Sequence, residues 1–210
     1  MGFYADHVFP YLMDWTMGTR RFRELRQQSL ASARGSVLEI GFGTGLNLPH
    51  YPDTVTELTV IDPAVLLPTK VAKRIASAAM LVQVAHLSAE TLPFEDGRFD
   101  CVVSTWALCT IPNAVAALRE VRRVLKPEGT YLFLEHGRSD DAGVAAWQDR
   151  LNPIQQKIGC GCNLNRPIDA LVREAGLHVH HLERFVFSGV PRIVGEMYRG
   201  TATAARAESA

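Results

Sequence analysis

The sequence has no excess of charge of either sign and no long hydrophobic run. Its 22 Lys and Arg residues balance 22 Asp and Glu residues, so no net field attracts DNA, RNA or anionic lipid, and nucleic acid is not expected as a partner. No stretch of about 20 apolar residues is present, as a transmembrane helix would require. Residues 1–15 also lack the basic start and uninterrupted apolar segment of a signal peptide. These absences predict a soluble, cytoplasmic protein without an integral membrane segment.

Cysteine is scarce as well, which excludes a disulfide framework in a chain of 210 residues. Cys160 and Cys162 form a C-x-C pair with no second pair and no histidine nearby in the sequence, so the ligand spacing of a structural zinc site is missing and no metal is predicted. Cys101 lies in an apolar run and is expected in the core. Cys109 follows the end of that run, where we expect it to line a pocket as a wall residue or as a nucleophile.

A glycine-rich turn is the most informative feature that is present. Residues 37–45 read Val-Leu-Glu-Ile-Gly-Phe-Gly-Thr-Gly, a buried-strand pattern that ends in three glycines. Glycine at such a turn allows positive φ and leaves room for a ligand against the backbone. The spacing is G-x-G-x-G, whereas a dinucleotide fingerprint is G-x-G-x-x-G, and Leu46 stands where that fingerprint has its third glycine, so a nicotinamide cofactor is disfavoured.

Two acidic residues accompany this turn. Glu39 lies inside the apolar strand, where an unpaired charge is costly, so we expect a compensating group nearby; the alternative is an edge strand with Glu39 facing solvent. Asp62 ends a second predicted strand at residues 57–62. Its separation from the glycine turn along the sequence is close to that of the carboxylate that binds ribose hydroxyls in a nucleoside site.

The order of the predicted elements indicates a doubly wound α/β domain. Predicted strands alternate with helical patterns, as in a mainly parallel sheet; the strands are at residues 36–41, 57–62, 81–86, 99–105 and 130–136, and the helices at 65–79, 114–125 and 167–175. Two late runs, residues 178–185 and 192–198, are joined by a linker too short for a crossover helix and should form an antiparallel hairpin.

Several ordered segments resemble class I S-adenosylmethionine-dependent methyltransferases. The glycine turn is similar to that family's first motif, Asp62 stands at its ribose-binding acid, and residues 89–103 and 118–129 resemble its later segments. Leu108-Cys109, Glu135-His136 and residues 161–164 resemble the methyltransferase-like 7 type, the thiol methyltransferases, and more distantly the ubiquinone and menaquinone methyltransferases. The resemblance implies one domain with a Rossmann-like, mainly parallel seven-stranded sheet and a final antiparallel hairpin.

The resemblance also implies the cofactor, S-adenosyl-L-methionine, and its binding residues. These are Glu39, Gly41, Gly43, Thr44, Gly45, Asn47, Asp62, Pro63, Ala89, Glu90, Thr105 and Trp106. The expected organisation is a helical lid at residues 1–34, the methyltransferase domain at 35–203 and a flexible tail at 204–210.

The acceptor side of the site is expected to combine the lid with the end of the fifth strand. His136 is the first candidate for a general base, because imidazole titrates near neutrality, and the alternative is a structural histidine. The predicted catalytic residues are His136 and Cys109, and Tyr4 and His7 join them in the substrate pocket. The aromatic N-terminal segment could instead be a core helix or contact a membrane surface peripherally.

The predicted reaction is methyl transfer to a small or lipophilic acceptor, with a thiol favoured by the subgroup resemblance. A quinone ring carbon or a phospholipid amine would use the same cofactor half. From other classes, a non-catalytic nucleotide-binding domain and an NAD-dependent reductase remain open. The basic stretch Arg20, Arg21, Arg23 and Arg26 is interpreted as a solvated helix face, with weak phosphate contact as the alternative.

Overall fold

The computed structural model describes residues 2–204, and its centre is one seven-stranded sheet. The strand order is β3-β2-β1-β4-β5-β7-β6, in which only β7 runs antiparallel to its neighbours. The strands are β1 (Gly35–Ile40), β2 (Val55–Ile61), β3 (Leu81–Ala85), β4 (Phe99–Thr105), β5 (Leu125–His136), β6 (Leu177–Val186) and β7 (Glu196–Ala204). The predicted fold class, a single Rossmann-like α/β domain with a final antiparallel hairpin, is confirmed.

Helices cover both faces of the sheet and one of its ends. They are α1 (Phe3–His7), α2 (Phe9–Met17), α3 (Arg20–Leu30), α4 (Pro68–Ala76), α5 (Ala114–Val124), α6 (Ala142–Ile158), α7 (Ile168–Glu174) and α8 (Arg192–Gly195), with a short 3₁₀ turn at Leu48–His50. Within residues 2–204, no helix is long and apolar enough to cross a bilayer.

The side-chain alternation of β1 divides the core into two layers. Leu38 and Ile40 pack on one face in the cluster that includes α5 and α7, whereas Val37 faces the opposite cluster with Leu30 of α3. Glu39 shares the parity of Val37, so its carboxylate lies on the α3 side of the sheet. This placement directs the strand's one acidic side chain toward the N-terminal helices.

The final hairpin differs in detail from the predicted one. Residues 192–195, predicted as strand, form the single helical turn α8, and β7 begins only at Glu196. Strand β7 then continues through Ala204, the first residue of the predicted tail, because its backbone pairs with both β5 and β6. The rest of that tail, residues 205–210, lies outside the described residues.

Candidate functional site

A cavity of about 450 Å³ lies at the carboxyl ends of β1, β2 and β4, beneath α2 and α3. This edge is where open α/β sheets bind ligands. Most of the predicted cofactor residues line it, namely Glu39, Gly41, Gly43, Thr44, Asn47, Asp62, Pro63, Ala89, Thr105 and Trp106. The predicted residues that do not line it are Gly45, Glu90, Tyr4, His7, Cys109 and His136.

The glycine turn brings bare backbone to the cavity wall. Gly41 (φ +75°) has no room for a side chain, since a Cβ there would lie 2.4 Å from the Cβ of Ala107. Gly43 (φ +58°) is different, because a Cβ would meet no atom within 4 Å and would project into open space. A side chain at residue 43 would therefore occupy volume that a ligand can use.

The side chain of Asp62 is hydrogen-bonded to the backbone of this turn. One carboxylate oxygen accepts the Gly43 N–H at 2.8 Å and the other accepts the Ala64 N–H at 2.9 Å. Burial raises the pKa of the Asp62 carboxyl, against the lowering effect of these two hydrogen bonds. Each oxygen keeps a lone pair for a further donor, so the fixed carboxylate can accept from a pair of vicinal hydroxyls.

The buried carboxylate of Glu39 has hydrogen-bond donors, as expected from its position in an apolar strand. It lies on a central strand, between β2 and β4, which excludes the edge-strand alternative. Its carboxylate accepts from Tyr51 Oη at 2.7 Å and from Asn47 Nδ2 at 2.9 Å. Burial raises the pKa of Glu39 to about 7, although these hydrogen bonds and the charge of Arg26 lower it. The cavity thus contains a carboxyl group that titrates near neutrality.

Arg26 is a cavity residue that the sequence interpretation missed. Arg20, Arg21 and Arg23 are exposed, but Arg26 is only 4% exposed, so the solvated-face interpretation is wrong for this residue. The signal was its i, i+4 spacing from Phe22 and Leu30, which places all three on one helix face.

The guanidinium of Arg26 lies between charged and aromatic groups. It donates to the Met17 carbonyl at 2.7 Å and lies 4.8 Å from the centre of the Trp106 ring. Burial lowers the pKa of Arg26 to about 10, while the charge of Glu39 raises it. Its Nε has no hydrogen-bond partner within residues 2–204, so a donor remains available beside the cavity.

Trp106 also lines the cavity. Its backbone has φ +51°, a left-handed conformation that is unusual for a bulky residue. The ring packs edge-on against Phe22, with centroids 5.3 Å apart, and the buried indole Nε1 has no acceptor in the described part of the chain.

Helix α2 covers the cavity and is tied to the glycine turn through Asp14. Asp14 accepts from Thr44 Oγ1 at 2.7 Å, from Arg74 Nη1 at 2.6 Å and from Lys70 Nζ at 2.9 Å. Although burial raises the pKa of Asp14, these three donors bring it down to about 2. The same helix contributes apolar wall residues, including Phe9, Met13 and Met17.

The residues predicted for the acceptor side are not brought together on the cavity wall. Tyr4 is exposed and donates to the Ile158 carbonyl at 3.0 Å, and the exposed His7 ring packs 5.0 Å from Phe3. His136 and Cys109 are buried, and His136 Nε2 lies 2.9 Å from Cys162 Sγ. The role of His136 as a general base stays a prediction.

The two remaining residues predicted to bind the cofactor make their contacts away from the cavity wall. Gly45 continues the turn, with its N–H donated to the Phe42 carbonyl at 3.0 Å. Glu90 accepts the Asn113 N–H at 2.6 Å and so lies against the start of α5.

The sequence is similar to known methyltransferases. Residues 38–133 match the family described as a methyltransferase domain. Human thiol S-methyltransferase TMT1A is 35% identical over 149 residues, which cover 69% of this chain and 61% of the relative. Human thiol S-methyltransferase TMT1B is 33% identical over 172 residues, which cover 75% of this chain and 70% of the relative. The match to TMT1A therefore spans less than two thirds of that protein.

A solved structure shows the same fold. The N-methyltransferase NodS from Bradyrhizobium japonicum, in complex with S-adenosyl-L-homocysteine, has a TM-score of 0.66 at 16% identity and covers 93% of this chain and 92% of its own.

The cavity also fits the cofactor of this family. Open space above Gly43 admits a ligand against the backbone, and Asp62 offers oxygens to ribose hydroxyls. Buried polar atoms of three lining residues, Arg26 Nε, Asn47 Oδ1 and Trp106 Nε1, have no partner among residues 2–204 and can bind polar groups of a ligand. The chain belongs to the S-adenosylmethionine-dependent methyltransferases.

Proposed function

We propose that this methyltransferase acts on the thiol of a small or lipophilic acceptor. The observation that carries the proposal is the similarity to two human thiol S-methyltransferases, at 33–35% identity across 69–75% of the chain. The apolar side chains that α2 contributes to the cavity suit a lipophilic acceptor.

The residues that hold the cofactor are proposed from the cavity geometry. Gly41 and Gly43 admit the methionine end against the backbone, and Asp62 accepts from the ribose hydroxyls. Arg26, with an unpaired donor beside the cavity, binds the carboxylate of the methionine moiety. Trp106 and Thr105 lie at the end of β4 and flank the reacting centre.

Positioning and exclusion of water are the main contributions of the protein. When bound, S-adenosylmethionine supplies an activated methyl group. The chain's task is to hold the acceptor sulfur in line, roughly 3–3.5 Å from the reacting carbon. A thiol with a pKa of about 8.5 is partly ionised at neutral pH, so it requires less help from a base than a hydroxyl does. This lower requirement agrees with a cavity wall that does not include His136.

Residues 1–34 are proposed as a lid over the domain formed by residues 35–203. Helix α2 covers the cavity, and its Asp14 contacts Thr44 of the glycine turn. Cytoplasmic localisation and peripheral membrane contact through the exposed aromatic residues of α1 and α2 stay predictions.

A panel of acceptors with methyl-labelled cofactor tests the proposed substrate class. Alkyl and aryl thiols should be labelled, whereas quinols, amines and phosphatidylethanolamine vesicles should not. Asp62→Ala should bind the cofactor weakly and label no acceptor, which ties the signal to this site. Labelling confined to amines or quinols would reject the thiol proposal but leave the methyltransferase assignment intact.

A further inference from the structure

Three side chains that are remote in sequence lie close together outside the cavity wall. Cys109 lies after β4, His136 ends β5, and Cys162 lies in the turn after α6. Their Sγ, Nε2 and Sγ atoms all lie within 4.8 Å of one another, and we call these three residues the Cys-His cluster. None of the three lines the cofactor cavity.

The spacing of the cluster is close to that of a metal site. Tetrahedral zinc has Zn–S bonds of about 2.3 Å and Zn–N bonds of about 2.0–2.1 Å, which places two sulfurs about 3.8 Å apart and a sulfur and a nitrogen about 3.5 Å apart. In the cluster, His136 Nε2 is 2.9 Å from Cys162 Sγ, and no ligand pair exceeds 4.8 Å. Shifts on the order of 1 Å or less therefore bring the three atoms to zinc geometry.

Backbone contacts hold the cluster in place. The N–H and the Nδ2 of Asn163 donate to the Cys109 carbonyl, at 2.9 and 2.8 Å, and so fix the turn that carries Cys162 against the turn that carries Cys109. His136 belongs to β5, between β4 and β7, and is 9% exposed. The ligands are thus preorganised by elements that do not depend on the metal.

We propose that the Cys-His cluster binds one Zn²⁺ through Cys109 Sγ, His136 Nε2 and Cys162 Sγ, with a fourth position for water or another ligand. Two thiols lose their protons to solvent and form two Zn–S bonds, and imidazole donates its Nε2 lone pair. The resulting Zn²⁺–dithiolate unit is neutral, which suits a buried location. Two thiolates and an imidazole favour zinc and other soft ions over Mg²⁺ and Ca²⁺.

The sequence predicted no metal because the pair of Cys160 and Cys162 has no second ligand pair close to it along the chain. Cys162 has no histidine neighbour in sequence, but the fold brings it to His136, which is 26 positions away. The proposed ion would cross-link the turn that follows Trp106 to β5 and to the turn after α6. It would therefore stabilise one wall of the cavity without contacting the cofactor.

Zinc binding is tested on the full chain, reduced with a non-chelating phosphine and stripped by a chelator. The wild type should take up one Zn²⁺ per chain by elemental analysis, and Co²⁺ substitution should give the visible absorption bands of a tetrahedral thiolate site. Cys162→Ser and His136→Ala should each lose zinc affinity by more than the roughly 10–100-fold that follows loss of an outer-shell partner. Cys160→Ser, two residues from Cys162 but outside the cluster, should keep wild-type affinity.

Circular dichroism confirms that each variant is folded, so loss of metal is not mistaken for unfolding. Absence of stoichiometric zinc in the folded wild type would overturn the proposal, and so would equal losses in Cys160→Ser and Cys162→Ser. Formation of a Cys109–Cys162 disulfide on mild peroxide treatment, in a protein that takes up no zinc, would assign the two thiols to a redox pair instead.

Discussion

Glu39 is a buried carboxyl group of the cavity wall whose protonation depends on pH near neutrality. Burial raises the pKa of Glu39 to about 7, above the ordinary value of 4.5, so the folded protein binds a proton there that the unfolded chain releases. By linkage, this group's contribution to stability falls as pH rises from about 4.5 to about 7. A cationic ligand in the cavity reverses the preference, because a nearby positive charge favours the carboxylate.

We therefore predict that S-adenosylmethionine binds more tightly as pH rises toward about 7, the pKa of Glu39 without ligand, and that the gain levels off above this pH. The dissociation constant should fall by no more than about tenfold per pH unit, the limit for release of one proton. Calorimetric titration at several pH values measures the slope, which Glu39→Gln should flatten. Glu57→Gln, a substitution on β2 away from the cavity wall, should keep the slope. An unchanged slope in Glu39→Gln would assign the proton to another group, such as Asp62.

At the scale of the elements, Asp14 joins α2 to two other parts of the domain. Asp14 connects it to Thr44 of the glycine turn and to Arg74 and Lys70 of α4. Its pKa of about 2 in the folded protein is below the ordinary value of 3.8, so its contribution to stability is present above about pH 4 and is lost as pH falls toward 2.

Asp14→Asn should detach α2 from the glycine turn. The variant leaves the guanidinium of Arg74 without its carboxylate, and we expect a loss of about 1–3 kcal/mol in the free energy of unfolding and faster cofactor dissociation. Chemical denaturation and stopped-flow displacement measure the two effects. Asp6→Asn, on the exposed surface of α1, is the matched control and should change neither. A wild-type dissociation rate in Asp14→Asn would show that α2 does not retain the ligand.

The sequence predicted the elements whose signals are local. Residues 37–45 contain both the apolar strand and its glycine turn, so the position of this turn at the cavity followed from a short segment. The start of the second hairpin strand was mispredicted, because residues 192–195 form a helical turn and β7 begins only at Glu196, where pairing with β6 starts. The Cys-His cluster was missed because tertiary packing brings together residues that are remote in sequence, whereas Arg26 had a local signal, its spacing from Phe22 and Leu30.

For the whole molecule, cofactor binding should raise thermal stability. At a ligand concentration of 100 times Kd, linkage adds about 2.7 kcal/mol, which corresponds to roughly 5–11 °C in Tm for a domain of this size. Differential scanning fluorimetry measures the shift. Gly43→Val should abolish it, because the new side chain enters the space above the glycine turn.

Gly97→Val is the matched control for this substitution. Gly97 also has positive φ (+64°), and a Cβ there would make only an ordinary van der Waals contact, 3.9 Å from Lys126 Cα, but Gly97 does not line the cavity. Both variants should therefore lose similar stability without ligand, whereas only Gly97→Val should keep the ligand-dependent shift. A full shift in Gly43→Val would place the ligand elsewhere.

The left-handed backbone at Trp106 links the stability of the domain to the shape of its cavity. A bulky residue in this conformation costs about 1–2 kcal/mol relative to ordinary backbone geometry, and Trp106 lies in the cavity wall. A glycine at this position would relax the backbone but would remove the ring that packs on Phe22 and Arg26. Selection for heat resistance would thus favour one residue at position 106, and selection for the shape of the cavity wall would favour another.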